Sequence, residues 1–372
     1  MNHPIKAVTV FLFLLFMLLP SLQENLSLIT YAPLQENRFK EKKPMGAFSL
    51  LSAKNDYAAR YEAFYNDTYG LRDFLIRLKN QLDYSIFGHS AELVVGKEHY
   101  LFYKSVVEKE EIYPERASEK EFTTLIQRLL KLNAYLQSRG IIFLLVSPPQ
   151  KNTVYPEYLP ANTANRPSPS VFERYLAAVA SHPEIKLLDA RKVLIDLKPS
   201  MQVFYKTDFH WTDPAGFVVA RRMVNFLGKL SGIGRTWIHP LKTRLETVSG
   251  GQNNSLAIFF PYNEQVLVLE NAGSENYGAL KDTRKDEWVY TASSTTAEKL
   301  LPPTVLFSDS YSDAFVRAGF MRYFSEIHKY HFHNLKERFH EIPANTRILI
   351  LEHIEIGLNQ LLNDQFWPEE FR

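Results

Sequence analysis

The stretch Ile141–Val146 reads IIFLLV, six apolar residues in a row without a charge. Its length and its branched side chains are typical of a strand that is buried on both faces, as in a parallel sheet. A helix is predicted just before it, over 119–138, because Ser118 is a suitable N-cap and Gly140 a suitable residue to end the helix. A helix followed by a buried strand is the repeating unit of α/β proteins.

The same alternation continues along the chain. Further elements are predicted as helices over 170–180 and 214–228 and as strands over 186–188, 304–307 and 347–351. Two amphipathic helices over 56–87, broken at Gly70, and two short strands over 93–103 precede them. The prediction is an α/β domain over 56–372 with a central, mainly parallel sheet. The range 244–299, rich in Thr, Ser and Asn, is expected to be an insertion of hairpins and loops.

The N-terminus carries a targeting segment. Ala7–Leu19 reads AVTVFLFLLFMLL, and Lys6 stands just before it. Only Ser21 offers a small residue for cleavage, so an uncleaved membrane anchor over 1–22 is favoured over a signal peptide, and 23–55 is interpreted as a stalk. The positive-inside rule then places the rest of the chain outside the cytoplasm.

Composition excludes several classes of function. The 43 Lys and Arg residues nearly balance the 41 Asp and Glu residues, which leaves a formal charge of +2 on 372 residues. Nucleic acid is therefore disfavoured as the main partner. The chain has no cysteine, so thiol nucleophiles, thiolate metal sites and disulfides are all excluded.

A candidate nucleophile follows one of the predicted strands. Thr304–Phe315 reads TVLFSDSYSDAF, an apolar strand that runs into Ser310 and then a helix. Active-site residues of α/β sheets lie at the carboxyl ends of strands, where free backbone N–H groups, here those of Ser310 and Tyr311, can stabilise an oxyanion. The alternative is that Asp309 or Ser310 is only a helix cap.

A candidate base lies upstream, in the segment 203–217 that reads VFYKTDFHWTDPAGF. A serine hydroxyl needs a base, and the base needs an orienting carboxylate, so Asp208 and His210 fit those two roles. Alternate residues of an extended segment share a face, and we expect both side chains to converge on Ser310. A surface loop or a pair of metal ligands is the alternative.

The order of these segments resembles the SGNH-hydrolase-like family of alginate O-acetyltransferases, of the AlgJ and AlgX type. The resemblance extends over most of 56–362. Besides KTDFHW and SDSYS, it is carried by YND at 65–67, GLR at 70–72, VVGK at 94–97, YLFY at 100–103, SPP at 147–149, YPEYLP at 155–160 and ILILEHIEIGLNQLL at 348–362. The Asp-x-His-Trp motif is the most specific, because ordinary GDSL esterases carry the serine near the domain start and Asp-x-x-His near its end.

The resemblance implies a three-layer SGNH-like fold and a triad of Asp208, His210 and Ser310. Ser308 stands where the family often has glycine, and it is expected next to the oxyanion loop. Tyr311 and Trp211, beside the triad, are expected to contact the substrate by stacking on sugar rings.

The implied activity is transfer of an acyl group, most simply acetyl, to the hydroxyls of a secreted or cell-surface polysaccharide, without cofactor or metal. A polytopic membrane-bound O-acyltransferase is the implied acyl donor partner. An esterase is the enzymatic alternative, and a non-catalytic polysaccharide-binding subunit of an export complex is the alternative from another class.

Four histidines cluster near the C-terminus, at His328, His331, His333 and His340. Their spacing matches neither one face of a helix nor an HExxH motif, and no acidic or cysteine ligand joins them at a metal-binding interval. The segment is interpreted as a solvated or polysaccharide-facing surface.

Overall fold

The computed structural model describes residues 3–31, 33–34, 39–44, 57–107, 117–161, 169–234, 237–270, 281–284, 287–292 and 300–372. The α-helices are α1 (His3–Leu26), α2 (Tyr57–Thr68), α3 (Arg72–Phe87), α4 (Lys104–Val107), α5 (Glu119–Ser138), α6 (Lys151–Val154), α7 (Val171–Ala180), α8 (Ala190–Leu197), α9 (Asp213–Leu230), α10 (Gln252–Leu256), α11 (Asp313–Arg317), α12 (Leu335–Arg338) and α13 (Leu358–Leu362). The β-strands are β1 (Leu93–Val95), β2 (Leu101–Tyr103), β3 (Ile142–Ser147), β4 (Lys186–Asp189), β5 (Thr243–Val248), β6 (Glu264–Leu269), β7 (Lys281–Arg284), β8 (Glu287–Thr291), β9 (Thr304–Ser308), β10 (Glu326–His331) and β11 (Ile348–Glu352).

The central sheet has the strand order β4-β3-β11-β9-β10-β8-β7. The five strands from β4 to β10 are parallel, with Ile348 of β11 opposite both Ile142 of β3 and Thr304 of β9. Strands β8 and β7 extend one edge in antiparallel pairing. The predicted, mainly parallel sheet is confirmed. β7 and β8 fall within 244–299, as does the separate antiparallel pair β5 and β6.

Two apolar cores cover the two faces of this sheet. Alternate side chains of a strand point to opposite faces, so Leu144 of β3 joins the core on the α9 side, with Met223, and Phe143 joins the core on the α5 side, with Leu129. Each of these side chains is 1% exposed or less. The three-layer arrangement of helices, sheet and helices is therefore confirmed.

The helices begin where their sequence caps predict. Ser118 and Ser170 each cap a helix through a capping box, in which the serine side chain accepts the N–H of a glutamate three residues on. Thr212 caps α9 and Pro214 lies in its first turn, where the missing N–H costs nothing. Local sequence therefore sets the start of the helices that flank the sheet.

Strand β10 is the central strand that the sequence did not predict. It reads EIHKYH, and only its second and fourth residues, Ile327 and Lys329, are buried. A search for continuous apolar runs passes over such a segment because polar residues alternate with buried ones. Its place in the sheet comes from pairing with β9 and β8 rather than from apolar content.

The chain divides into two compact units, one of residues 1–93 and 251–262 and one of residues 94–250 and 263–372. The second unit contains the whole central sheet. In the first, the Asn80 amide donates to the Leu256 carbonyl (3.1 Å), which joins α3 to α10. Helix α1 continues through Pro20, and its residues 4–26 are long and apolar enough to cross a membrane. The extent of the domain (56–372) and of its insertion stays a prediction.

Candidate active site

Ser310 lies at the carboxyl end of the sheet, two residues after β9, and is exposed to solvent. It opens a 3-10 turn, Ser310–Ser312, whose cap is Asp309. The Asp309 carboxylate accepts the N–H of Tyr311 (2.9 Å) and the N–H of Ile354 (2.7 Å). The cap therefore fixes the turn and joins it to the segment after the neighbouring strand β11.

The structure brings Asp208, His210 and Ser310 together. His210 Nδ1 lies 2.7 Å from the Asp208 carboxylate, and His210 Nε2 lies 2.9 Å from the Ser310 hydroxyl. A carboxylate only accepts, so Nδ1 carries the proton and Nε2 offers its lone pair to the hydroxyl, which donates. The side chains of His210 and Asp208 are 27% and 20% exposed, so the site opens to solvent at the serine.

A buried lysine holds the loop that carries Asp208 and His210. The Lys151 ammonium donates to the carbonyls of Tyr205 (3.1 Å), Lys206 (3.0 Å) and Asp208 (2.8 Å). Its side chain is almost fully buried, and this burial lowers the pKa of Lys151 to about 7, against the opposing effect of the nearby Asp208 carboxylate. One side chain therefore holds three carbonyl groups of the loop that presents Asp208.

A buried glutamate holds the same loop through its N–H groups. The Glu264 carboxylate accepts the backbone N–H groups of Lys206 (2.8 Å) and Thr207 (2.9 Å) and the Gln202 amide (2.6 Å). The Thr207 hydroxyl, which also donates to Glu264, accepts the Gly250 N–H (2.9 Å). Charge-assisted hydrogen bonds of this kind are the strong ones, so the loop is fixed from both its carbonyl and its N–H sides.

Reciprocal hydrogen bonds join the base loop to the nucleophile turn. The Trp211 indole donates to the Tyr311 carbonyl (3.0 Å), and the Tyr311 hydroxyl donates to the Phe209 carbonyl (2.7 Å). The following helices are also in direct contact, because a Cβ at Gly216 of α9 would lie 2.4 Å from Cβ of Ala314 of α11. Direct contacts therefore hold the loop of Asp208 and His210 against the turn of Ser310.

The expectation that Trp211 and Tyr311 stack on sugar rings is wrong. Both side chains are 1% exposed or less, and their polar atoms are used within the protein. Ser308 is likewise fully buried, where its hydroxyl donates to the Ser312 hydroxyl (2.9 Å). The Tyr311 N–H is not available as an oxyanion donor either, because Asp309 accepts it. Of the two predicted donors, the Ser310 N–H remains, at the first position of a turn, where no carbonyl of that turn can accept it.

Two acidic side chains lie behind the serine. Glu352, at the end of β11, accepts the Asp309 N–H at 3.1 Å and is fully buried. Burial raises the pKa of Glu352 well above its ordinary value, and the neighbouring Asp309 carboxylate raises it further. Burial also raises the pKa of Asp309, against the two N–H groups that it accepts. The sequence signal for this pair is a glutamate that ends an otherwise apolar strand.

A cleft of about 360 Å³ opens beside Ser310. The histidine segment contributes to it through His331, the last residue of β10, and through His333, two residues further on; β10 is the strand next to β9. His328 and His340 do not line it. Within the described residues, no three His, Asp or Glu side chains lie close enough together to hold a metal ion. The cleft is lined by Phe209, Asp309, Ser310, Tyr311, His331, Phe332, His333, Ile354, Ile356, Gly357, Asn359 and Gln360.

The fold and this site together define a class, the α/β proteins with a serine-histidine-aspartate arrangement at the carboxyl edge of the sheet. Residues 93–328, more than half of the chain, match the family described as "SGNH hydrolase-like domain, acetyltransferase AlgX". The chain belongs to this family. The matched range includes Asp208, His210 and Ser310.

The chain is also similar to relatives that carry a name. The chain is 24% identical over 260 residues to a protein of Azotobacter vinelandii named "Probable alginate O-acetylase AlgJ", a match that covers 68% of this chain and 63% of that protein. A protein of the same name from Pseudomonas aeruginosa is 26% identical over 175 residues, covering 47% and 42%. The chain thus spans less than two thirds of the length of these relatives.

Two solved structures show a partial likeness. The O-acetyltransferase domain of Pseudomonas putida AlgJ aligns with a TM-score of 0.46 at 15% identity, covering 75% of this chain and 96% of that one. Bacillus cereus PatB1 aligns with a TM-score of 0.47 at 14% identity, covering 68% and 94%. The family assignment rests on the sequence match.

Proposed function

We propose that this chain is a serine-dependent O-acetyltransferase that acts on the hydroxyls of a secreted or cell-surface polysaccharide. The observation that carries the proposal is a pair of hydrogen bonds, in which His210 Nδ1 donates to Asp208 and His210 Nε2 accepts from the hydroxyl of the exposed Ser310. Membership of the acetyltransferase family and the names of the AlgJ relatives support the type of reaction.

In the proposed mechanism His210 Nε2 takes the proton of the Ser310 hydroxyl while Oγ attacks the carbonyl carbon of the acyl donor. Asp208 stabilises the imidazolium that forms, and the Ser310 N–H donates to the oxyanion. The imidazolium then returns the proton to the leaving group, which departs and leaves an acyl-serine. A sugar hydroxyl then gives its proton to His210 as its oxygen attacks the carbonyl carbon of the acyl-serine. The imidazolium returns this proton to Ser310 Oγ as the bond between Oγ and the acetyl group breaks, and the sugar leaves with the acetyl group.

The openness of the site suits a polymeric acceptor. Ser310 is exposed beside a cleft that is partly open to solvent, so a polymeric acceptor can reach the serine from outside. The same openness admits water to the acyl-serine, and this favours an esterase as the second candidate function. A non-catalytic polysaccharide-binding subunit would not need the hydrogen bonds that orient His210.

The proposal places the site outside the cytoplasm, tethered by α1. Residues 4–18 of this helix are exposed in the described structure, and Lys6 precedes the apolar core. A polytopic membrane-bound O-acyltransferase then supplies the acyl group, because no soluble acetyl donor is expected there. The full-length protein should stay with membranes after a high-salt wash, and a soluble extracytoplasmic form starting near Gln23 would replace the anchor with a cleaved signal.

The reaction is tested with the full-length protein in detergent and a small activated acetyl ester. Mass spectrometry should find one acetyl group on Ser310, and an added oligosaccharide acceptor should gain the mass of acetyl. Ser310→Ala should abolish both signals, whereas Ser181→Ala, at an exposed serine whose hydroxyl donates to the Ala178 carbonyl, should change neither. Release of acetate alone with every acceptor would make the protein an esterase, and no adduct at all would make it a binding subunit.

A further inference from the structure

The cleft beside Ser310 has a distinctive chemistry, and the chemistry of its lining indicates what it binds. Ser310, Asp309 and Tyr311 line the cleft, and the Tyr311 hydroxyl is used within the protein. The other side chains of the lining that can form hydrogen bonds come from two places, the end of β10 and the turn after it, with His331 and His333, and helix α13, with Asn359 and Gln360. Phe209 and Ile356 add apolar surface. A lining that mixes apolar faces with amide and imidazole groups matches a sugar ring, which offers C–H faces and hydroxyls that both donate and accept.

The two histidines of the cleft are stacked on each other. Their ring centroids lie 4.8 Å apart and their planes are at 13°. His331 Nδ1 accepts the backbone N–H of His333 at 3.2 Å, so this nitrogen is used within the protein.

Formal charge in the cleft is negative. Among the described residues that line it, none is Lys or Arg, and the acidic side chain is that of Asp309. A ligand carboxylate that leaves water for a partly enclosed cleft needs a cation, above all the fork of an arginine, to replace its hydration. In this cleft, a ligand carboxylate would meet amide and imidazole groups and the Asp309 carboxylate, which has the same sign of charge.

We infer that the cleft is the acceptor subsite and that the sugar residue it binds is uncharged, with hydroxyl groups and no carboxylate. The inference rests on the proposed function, since it deepens the identity of the acceptor. The relatives are named for alginate, a polymer of uronates, so this chain is inferred to differ from that name in the charge of the residue next to Ser310.

The experiment compares two ligands that differ at one group. Tetramannuronate and the same tetrasaccharide after reduction of its carboxyl groups to primary alcohols are titrated into the full-length protein by calorimetry at pH 8, above the ordinary titration range of imidazole. The reduced tetrasaccharide should bind at least tenfold more tightly. Equal or tighter binding of tetramannuronate, or binding of neither at millimolar concentration, overturns the inference.

Two variants tie the preference to the cleft. Asn359→Arg supplies the missing cation and should move the preference at least tenfold toward tetramannuronate. His340→Ala removes a histidine of the same segment whose side chain is 69% exposed and which does not line the cleft, so it should leave the preference unchanged. A preference that does not respond to Asn359→Arg would show that the sugar binds elsewhere and would overturn the inference.

The inference about the acceptor subsite and the proposed reaction are tested independently. The titration needs no acyl transfer, so a preference for the reduced sugar in a protein that never forms acetyl-Ser310 would leave the subsite standing and remove the proposed reaction. Formation of acetyl-Ser310 together with a preference for tetramannuronate would support the proposed reaction and overturn the inference about the subsite.

Discussion

Two histidine-bearing regions meet at Ser310, and they are built in opposite ways. The loop that carries His210 is fixed by buried charges, with the Lys151 ammonium on its carbonyls and the Glu264 carboxylate on its N–H groups. In the turn that carries His333, this side chain is exposed, and the backbone N–H of His333 donates to His331 Nδ1. The contrast separates two tasks, because proton transfer needs fixed geometry, whereas a polymer acceptor needs an accessible surface.

The largest effect is expected from a substitution at the centre of the loop that carries His210. Asp208→Asn should lower kcat on a small acetyl ester by roughly 10³- to 10⁴-fold, because an amide that donates to Nδ1 leaves the proton on Nε2, where it cannot accept from Ser310. Steady-state kinetics measures the loss. A decrease of less than tenfold would mean that Asp208 does not orient His210.

The next effect tests whether the fixed loop acts through its buried cation. Lys151→Met removes the donor to three carbonyls, so Asp208 should shift and kcat should fall by about 100-fold with little change in KM. Lys120→Met, at an exposed position of α5, is the matched control and should keep full activity. Circular dichroism checks that both variants fold.

The pH dependence of wild-type activity also tests the role of Lys151. Because the pKa of Lys151 is lowered to about 7, the ammonium loses its proton as pH rises through 7, and the loop then has one donor fewer. Activity should therefore decline on the alkaline side in the wild type. An alkaline decline of the same midpoint in Lys151→Met would assign it to another group.

A smaller effect tests the link between the two halves of the site. Tyr311→Phe deletes the hydrogen bond to the Phe209 carbonyl but keeps the buried ring. Loss of one buried hydrogen bond costs about 1 kcal/mol, so kcat should fall by roughly fivefold to tenfold. An unchanged kcat with an unchanged melting temperature would show that the link has no role in positioning His210.

The smallest effect concerns stability rather than activity. Because the pKa of Glu352 is raised in the folded state, its contribution to stability is complete below its ordinary value of 4.5 and is lost as pH rises toward the raised pKa. Glu352→Gln keeps an acceptor for the Asp309 N–H and does not titrate, so it should match the wild type near pH 4 and exceed it by about 1 kcal/mol or more at pH 8. Urea unfolding at the two pH values measures the difference, and a variant that is less stable at pH 8 would contradict the sign.

The sequence predicts those parts of the molecule whose signal is local. The buried strands are continuous apolar runs, and Asp208, His210 and Ser310 are marked by residue type and spacing. The sequence does not predict the roles of Lys151 and Glu264, because an isolated charged residue is typical of an exposed position. Only the tertiary fold buries both side chains beneath the loop that carries His210. The stacking expected of Trp211 failed for the same reason, since local sequence does not distinguish an aromatic side chain that faces the substrate from one that faces the core.

The reciprocal hydrogen bonds of Trp211 and Tyr311 join positions that lie 100 residues apart in the chain. Contacts of such long range form only after the intervening chain has been ordered, and they tend to form late in folding. During refolding from urea, helical signal should therefore recover before the ability to turn over an ester. Under the proposed function, the Ser310 hydroxyl should become reactive only in a chain that has finished folding, so a nascent or partly unfolded polypeptide should carry the serine without its reactivity.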